Sequence, residues 1–161
     1  MGGHVSPLPV GRWTVQADWV DYNGHLNDAY YAVVFSRSVD ALMDRLGLDA
    51  AGRAATGHTI YTAALMIRYV REVKAGEPLD VDVQVLESDA KRLRVWLTMR
   101  HGLDGHVVAT SEQLLLSIDA SGPRTSPWPK DVGEAVAALT LSHAGIPAPP
   151  EAGQGISLKR R

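Results

Sequence analysis

Asp21, Asn23, Gly24, His25 and Asn27 fall in one short run, Trp19-Val-Asp-Tyr-Asn-Gly-His-Leu-Asn-Asp-Ala-Tyr-Tyr31, directly ahead of a long apolar segment. A carboxylate, an amide and an imidazole gathered this closely can supply a base or nucleophile with hydrogen-bonding partners at hand. If a helix begins just after them, its unpaired N–H groups and partial positive charge add a means of polarising a carbonyl and holding an oxyanion. Asp21 is then the group that attacks a carbonyl or activates the water that does. Asn23 orients the reactants, His25 donates a hydrogen bond or shuttles a proton, and the N–H groups of Gly24 and His25 form the candidate oxyanion hole. Each residue also has an ordinary alternative. Asp21 and Asn23 can shape an Asx turn, Gly24 can admit a tight turn, His25 can tie the loop to a sheet, and Asn27 or Asp28 can cap the helix.

Such a loop needs rigid elements on either side. Before it, Gly11 to Ala17 alternates, with Trp13, Val15 and Ala17 on one side of an expected first strand, preceded by a loose lead-in over residues 1–9. After it, Tyr31, Val34, Phe35, Val39, Leu42, Met43 and Leu46 recur at three- and four-residue spacings, which predicts a helix from Asp28 to Leu46 closed by Gly47. Its first half, Ala29 to Phe35, is apolar on nearly every face, so something must wrap around it. Residues up to Thr56 read as a connector. Four strands are then expected, His58 to Tyr69, Leu79 to Glu87, Arg92 to Arg100 and His106 to Ile118, separated by turn-forming clusters. A proline-rich linker over Ser121 to Pro129, a short helix over Lys130 to Leu141 and an irregular tail complete the chain. The fold class expected is α+β, a curved antiparallel sheet wrapped around a long central helix. One domain over residues 1–142 is followed by a Pro/Gly-rich tail over 143–161.

The chain has 161 residues, 45% of them hydrophobic, enough for one such domain. A net charge of −2 offers no basic field for nucleic acid or an anionic membrane. There is no cysteine, hence no disulfide, thiolate metal site or cysteine nucleophile. No run is apolar long enough to span a bilayer and no leader is evident, so a cytoplasmic protein is expected. Met1-Gly2 with Ser6 fits a loose myristoylation pattern by chance, and Lys159-Arg160-Arg161 reads as a solvated tail. No metal is expected. Asp21-x-Asn23-Gly24 fails as a calcium loop because Trp19 and Tyr30 would occupy its first and last ligand positions, and the six histidines lack ligand spacing. Neither a serine-hydrolase elbow nor a glycine-rich phosphate loop is present.

The run Asp21-Tyr-Asn23-Gly-His25-Leu-Asn27-Asp28 resembles the D-x-N-x-H-x-N pattern of hot-dog-fold thioesterases, found in plant acyl-ACP thioesterases and, as D-x-x-G-H-x-N, in 4-hydroxybenzoyl-CoA thioesterase-like enzymes. Tyr69-Val-Arg71-Glu72 is similar to a Tyr-Arg-Arg-Glu segment of the plant enzymes. Asp89-Ala-Lys91-Arg92-Leu, Ala109-Thr-Ser-Glu112-Gln113-Leu-Leu-Leu and Pro149-Pro-Glu-Ala-Gly153 resemble the betainyl-CoA thioesterases of carnitine breakdown.

The resemblance spans roughly residues 10 to 158 and implies an acyl-CoA thioesterase, with betainyl-CoA as the leading substrate. It implies Asp21, Asn23 and His25 as catalytic residues, with Gly24, Asn27 and Glu72 in oxyanion or positioning roles. No cofactor is called for, since coenzyme A arrives as part of the substrate, and a homodimer or tetramer is expected. Trp13, Trp19, Tyr22, Tyr61 and Trp96 could cage a quaternary ammonium, although core packing is the ordinary role of any one of them. Lys91, Arg92 and Arg94 could meet coenzyme A phosphates, or form a plain solvated edge. One departure concerns Tyr61-Thr62, followed here by Ala63 and Ala64 where betainyl-CoA thioesterases often carry an acid. Two rivals are a hot-dog hydratase and a non-catalytic acyl-CoA-binding module. The first uses D-x-N-P-x-H, with a proline and one more residue before the histidine; the second would have little reason to keep the polar triad.

Overall fold

The computed structural model describes residues 5–159. The Met1-Gly2 pattern and the Arg160-Arg161 end of the basic tail lie outside them. In chain order the elements are β1 (Leu8–Thr14), a turn of 3-10 helix (Ala17–Trp19), α1 (Asp28–Arg45), α2 (Ala50–Thr56), β2 (His58–Tyr69), β3 (Pro78–Ser88), β4 (Arg92–His101), β5 (Val107–Asp119), β6 (Arg124–Thr125) and α3 (Lys130–His143). The strands form one antiparallel sheet in the order β1-β3-β4-β5-β2, with β6 beside β5.

Alternation decides which face of the sheet is buried. Leu79, Val81, Val83 and Val85 of β3 line up with Leu93, Val95, Leu97 and Met99 of β4, and all are buried on the concave side. They receive the stripe of α1 formed by Tyr31, Val34, Phe35, Val39, Leu42 and Met43. Burying side chains of this size stabilises the fold by about 1.5–3 kcal/mol apiece. Bulges in β1, β2, β3 and β5 bend the sheet about that helix. This is the hot-dog architecture expected from the sequence. The wrapping is one-sided, however: Ala32 and Val33 are only half-buried and Ala29 is exposed.

Three expectations need correction. The first strand runs from Leu8 to Thr14 rather than from Gly11 to Ala17, because it pairs with β3 from Leu8↔Val83 to Thr14↔Pro78, with an irregularity at Val10 that breaks strict alternation. The connector holds α2, whose residues are nowhere buried and so leave no apolar period to read. Its start is marked by Asp49, which accepts from the Gly52 N–H at 2.8 Å, and its end by Gly57 at φ +64°. The proline-rich linker contains β6, too short to stand out.

The tail after α3 has neither helix nor strand, yet it is tied down across the convex face of the sheet. Gln84 Nε2 donates to the carbonyls of Ile146 and Pro147, Arg68 donates to the carbonyl of Gln154 at 2.7 Å, and the Gly153 N–H donates to Glu112 at 2.8 Å. Trp96, whose strand neighbours are Gln84 and Glu112, is buried there, with the Arg68 guanidinium 5.9 Å over its ring.

The strap begins at His143, whose Nδ1 accepts from the Val85 N–H at 2.9 Å beside the β3 bulge. Burial lowers the pKa of His143 below its ordinary 6.5. The neutral ring is the one the fold holds, so its stabilisation is fully present above 6.5 and is lost as pH falls through the lower, folded value. Unfolding temperature followed from roughly pH 8 to roughly pH 5 is expected to fall more steeply for the parent than for His143→Gln, whose side-chain oxygen accepts without titrating. Parallel curves would remove His143 from the account.

Candidate functional site

The loop ahead of α1 is a small hairpin stapled to the segment that follows β2. Val20 bridges Leu26, the Asn27 N–H reaches the Trp19 carbonyl at 2.9 Å, the Leu26 N–H reaches the Val73 carbonyl at 2.8 Å, and His25 bridges Lys74. Trp19 and Leu26 are buried and anchor its two limbs. Between them Asp21 organises the turn. Its N–H donates to the His25 carbonyl, its own carbonyl accepts from Gly24, and its Oδ1 accepts from the Asn23 N–H at 2.8 Å and the His25 N–H at 3.2 Å. Gly24 sits at φ +78°, where a side chain would be strained.

These bonds revise the expected oxyanion hole. The N–H groups of Gly24 and His25 are already committed to Asp21. Within the first turn of α1, the Ala29 N–H is taken by the side chains of Asn27 and Asp28, and that of Tyr30 by the Asn27 carbonyl. Asn27 is thus the helix cap. The Asp28 N–H has no partner among the described residues and is the first-turn donor left to receive an oxyanion.

What remains open is as informative as what is tied. Asp21 Oδ2 and the Asn23 side-chain amide make no hydrogen bond among the described residues. The His25 Nδ1 lies 3.3 Å from Glu72 Oε2, so the acid selected only by resemblance does meet the imidazole, and Nε2 has no partner among the described residues. Glu72 is largely exposed, but its backbone is pinned. Tyr31 donates to the Arg71 carbonyl at 3.3 Å, Tyr69 donates to the Asp28 carbonyl at 3.2 Å, and the two rings meet edge to face at 5.0 Å. Burial first, then the negative charge of Glu72 and the nearby Tyr69, push the Tyr31 phenol up to about 12, so it stays a neutral donor.

The aromatic cage does not assemble within one chain. Trp19 is buried, stacked on Tyr30 at 5.6 Å, with Arg37 5.1 Å from its ring. Tyr22 is 97% exposed at the loop tip, and Trp96 is shut beneath the strap. Tyr61 lies in register with Leu116 and hence with Arg92, at the far end of the sheet from Tyr69 and Glu72. Trp13 packs on Gly11.

The coenzyme A cations fare similarly. Arg92 contacts Asp89 at 2.6 Å and holds that carboxyl down to about 2, helped by the Lys91 and Arg92 backbone N–H groups. Arg94 contacts Glu87 and Glu112. Lys91 is exposed. The ten residues of β4 put about 30 Å between this end and the His25 end within a chain.

A cluster that spacing did not reveal sits at the β4–β5 turn. His101, Asp104 and His106 bring their ligand atoms within 4.8 Å of one another. The only sequence signal is His101-Gly-Leu-Asp104-Gly-His106, which otherwise reads as a glycine turn.

Comparison with known proteins bears on the fold and the family. The model of the family described as the thioesterase-like superfamily matches residues 15–136. A betainyl-CoA thioesterase of Pseudomonas aeruginosa is 41% identical over 144 residues, covering 89% of this chain and 91% of that protein. An L-carnitine dehydrogenase/betainyl-CoA thioesterase of Rhizobium meliloti is 36% identical over 154 residues, which cover 96% of this chain but 31% of that longer protein. Among solved structures, a Staphylococcus aureus protein in complex with CoA superposes with a TM-score of 0.86 at 25% identity, covering 95% of this chain and 97% of that one. A Pseudomonas putida protein does so at 0.81 and 39% identity, covering 96% and 99%.

Proposed function

Because the chain belongs to the thioesterase-like superfamily, we propose that it hydrolyses betainyl-CoA to glycine betaine and coenzyme A. The observation that carries a hydrolytic reading is the selective openness of the loop: among the described residues Asp21 Oδ2, the Asn23 amide, the Asp28 N–H and His25 Nε2 have no partner, while the backbone groups of the turn are tied. The acyl group is taken from the 41% identity with the Pseudomonas aeruginosa enzyme.

In this reading the thioester carbonyl sits over the start of α1. The Asp28 N–H and the Asn23 amide receive the oxygen as it gains charge. Asp21 Oδ2 either attacks the carbonyl carbon or takes a proton from the water that does; in both routes the new C–O bond gives a tetrahedral oxyanion whose collapse breaks C–S and expels the coenzyme A thiolate, and on the first route a water then cleaves the acyl–Asp21 anhydride to release the acid. His25, held by Glu72, passes a proton to that sulfur. The D-x-N-P-x-H spacing of a hydratase is not the one here, since His25 follows Asp21 by four positions with no proline between them.

No helix among the described residues is long and apolar enough to cross a membrane. A second copy of the chain is part of the proposal, since β2 leaves Tyr61, Leu65 and Tyr69, with Val70 just beyond it, about half exposed along an uncovered edge.

Thiol release from betainyl-, acetyl-, benzoyl- and medium-chain acyl-CoA tests the substrate. The expected result is a kcat/KM for betainyl-CoA about tenfold or more above the others. Equal rates on all four would refute the betainyl assignment, and no release from any would point instead to a binding module.

A further inference from the structure

We propose that the β4–β5 turn is a binding site for a divalent transition-metal ion of the Zn2+ class, with His101 Nδ1, Asp104 Oδ1 and His106 Nδ1 as ligands. The turn is built around these atoms. The His101 N–H donates to the His106 carbonyl at 2.9 Å, the Gly105 N–H returns to the His101 carbonyl at 2.9 Å, and Gly105 takes φ +75° to close the loop. The two imidazoles are thereby held face to face, 5.0 Å apart and within 14° of parallel, with both Nδ1 atoms turned toward the same carboxylate oxygen. Asp104 Oδ1 is 2.5 Å from His106 Nδ1 and 3.7 Å from His101 Nδ1.

Nitrogen and oxygen ligands about 2.1 Å from a tetrahedral Zn2+ stand about 3.4 Å from one another. One separation here is shorter than that and the other longer, and the exposed Asp104 side chain is the group free to adjust between them. Asp104 Oδ1 also accepts from the His106 backbone N–H at 3.1 Å, which aims the carboxylate at the two rings. Two imidazoles and one carboxylate suit Zn2+, Co2+ or Ni2+ rather than Ca2+ or Mg2+, which prefer oxygen.

A second observation concerns the far side of His101. This ring is buried, and its Nε2 lies 3.6 Å from Glu77 Oε2. Its Nδ1 accepts from the Leu103 N–H at 3.3 Å in the metal-free turn, so the ring proton belongs on Nε2; an ion at Nδ1 would take over that lone pair and leave the N–H of the exposed Leu103 to solvent. At 3.6 Å Glu77 is beyond a hydrogen bond, but it places a carboxylate on the Nε2 side of an imidazole whose other nitrogen points at a cluster of donors, the side from which carboxylates orient histidine ligands in metal sites. A hydrogen bond between Asp104 and His106 alone would require neither His101 nor Glu77. Glu77 Oε2 also accepts from the Lys74 N–H at 2.8 Å, and Lys74 bridges His25, so an ion at the turn would brace the strand segment behind the catalytic loop.

The test is calorimetric titration of ZnCl2 into the metal-free full chain, beside Asp104→Ala and His106→Ala. Thermal unfolding with and without zinc is measured in parallel, and CoCl2 serves as the visible-absorption probe. One saturable site per chain is expected, with a four-coordinate Co2+ band and a zinc-induced rise in unfolding temperature. Either substitution should weaken binding about tenfold or more. Asp104→Ala and His106→Ala also break bonds within the turn, so each variant is compared with its own metal-free unfolding temperature, and both should lose the rise. His58→Ala should retain it. No saturable uptake by the parent, or undiminished uptake by Asp104→Ala and His106→Ala, would overturn the proposal.

Discussion

Asp21→Asn is expected to lower kcat for thioester cleavage by about 10²–10⁴ while leaving the unfolding temperature near that of the parent. The separation of the two readouts follows from how Asp21 divides its work. Oδ1 accepts from the Asn23 and His25 N–H groups, a task that an asparagine oxygen performs equally well, so the turn survives the change. Oδ2 is replaced by a neutral amide nitrogen that can neither attack nor take a proton. Asp21→Ala removes both oxygens and should lose stability as well as turnover, so the asparagine variant is the cleaner instrument. Undiminished hydrolysis by Asp21→Asn would reduce Asp21 to a turn former.

Leu65→Asp is expected to convert a dimer of twice 17.4 kDa to the single chain and to abolish most turnover with it. β2 is a twelve-residue edge strand with a row of exposed apolar side chains, of which Leu65 is 51% exposed. An unpaired carboxylate in the middle of such a contact costs several kcal/mol to desolvate. Turnover should follow because of the direction in which the edges meet. Antiparallel pairing of two β2 strands carries the His58 end of one protomer, with Tyr61 and Arg92, beside the Tyr69 end of its partner, where Glu72 and His25 lie. The aromatic and cationic residues stranded about 30 Å away within one chain would then approach the loop from the second copy. Light scattering gives the mass, and circular dichroism checks that the variant stays folded, as a half-exposed position should allow. A parent that is monomeric and fully active would remove the second copy from the mechanism.

Sequence served best where one rule acted alone. The four strands after α2 were readable to within a residue or two because valines and leucines alternate with charges between glycine- and proline-bearing turns, and α1 was readable from its spacing. β1 was shifted because a bulge at Val10 interrupts the alternation on which the reading depends, and α2 was lost because it buries nothing. At the site, residue types were legible while bond assignments were not. Whether the Gly24 and His25 N–H groups are free depends on where Asp21 Oδ1 points, which composition does not encode. The contact between His25 and Glu72 spans forty-seven positions and was reached through family likeness, not spacing. Trp96 alternates correctly for an outward residue, and only the strap makes it inaccessible.

That strap limits how copies of the molecule can pile up. A bare convex wall would invite two sheets to stack back to back, Trp96 against Trp96. With the terminus roofing it, an approaching copy would meet residues 144–159 instead, whose Ile156 and Leu158 side chains stand exposed. Growth beyond a side-by-side pair would have to use the roof itself as its contact, and sequence changes in this unstructured-looking end would then alter stoichiometry before they altered chemistry.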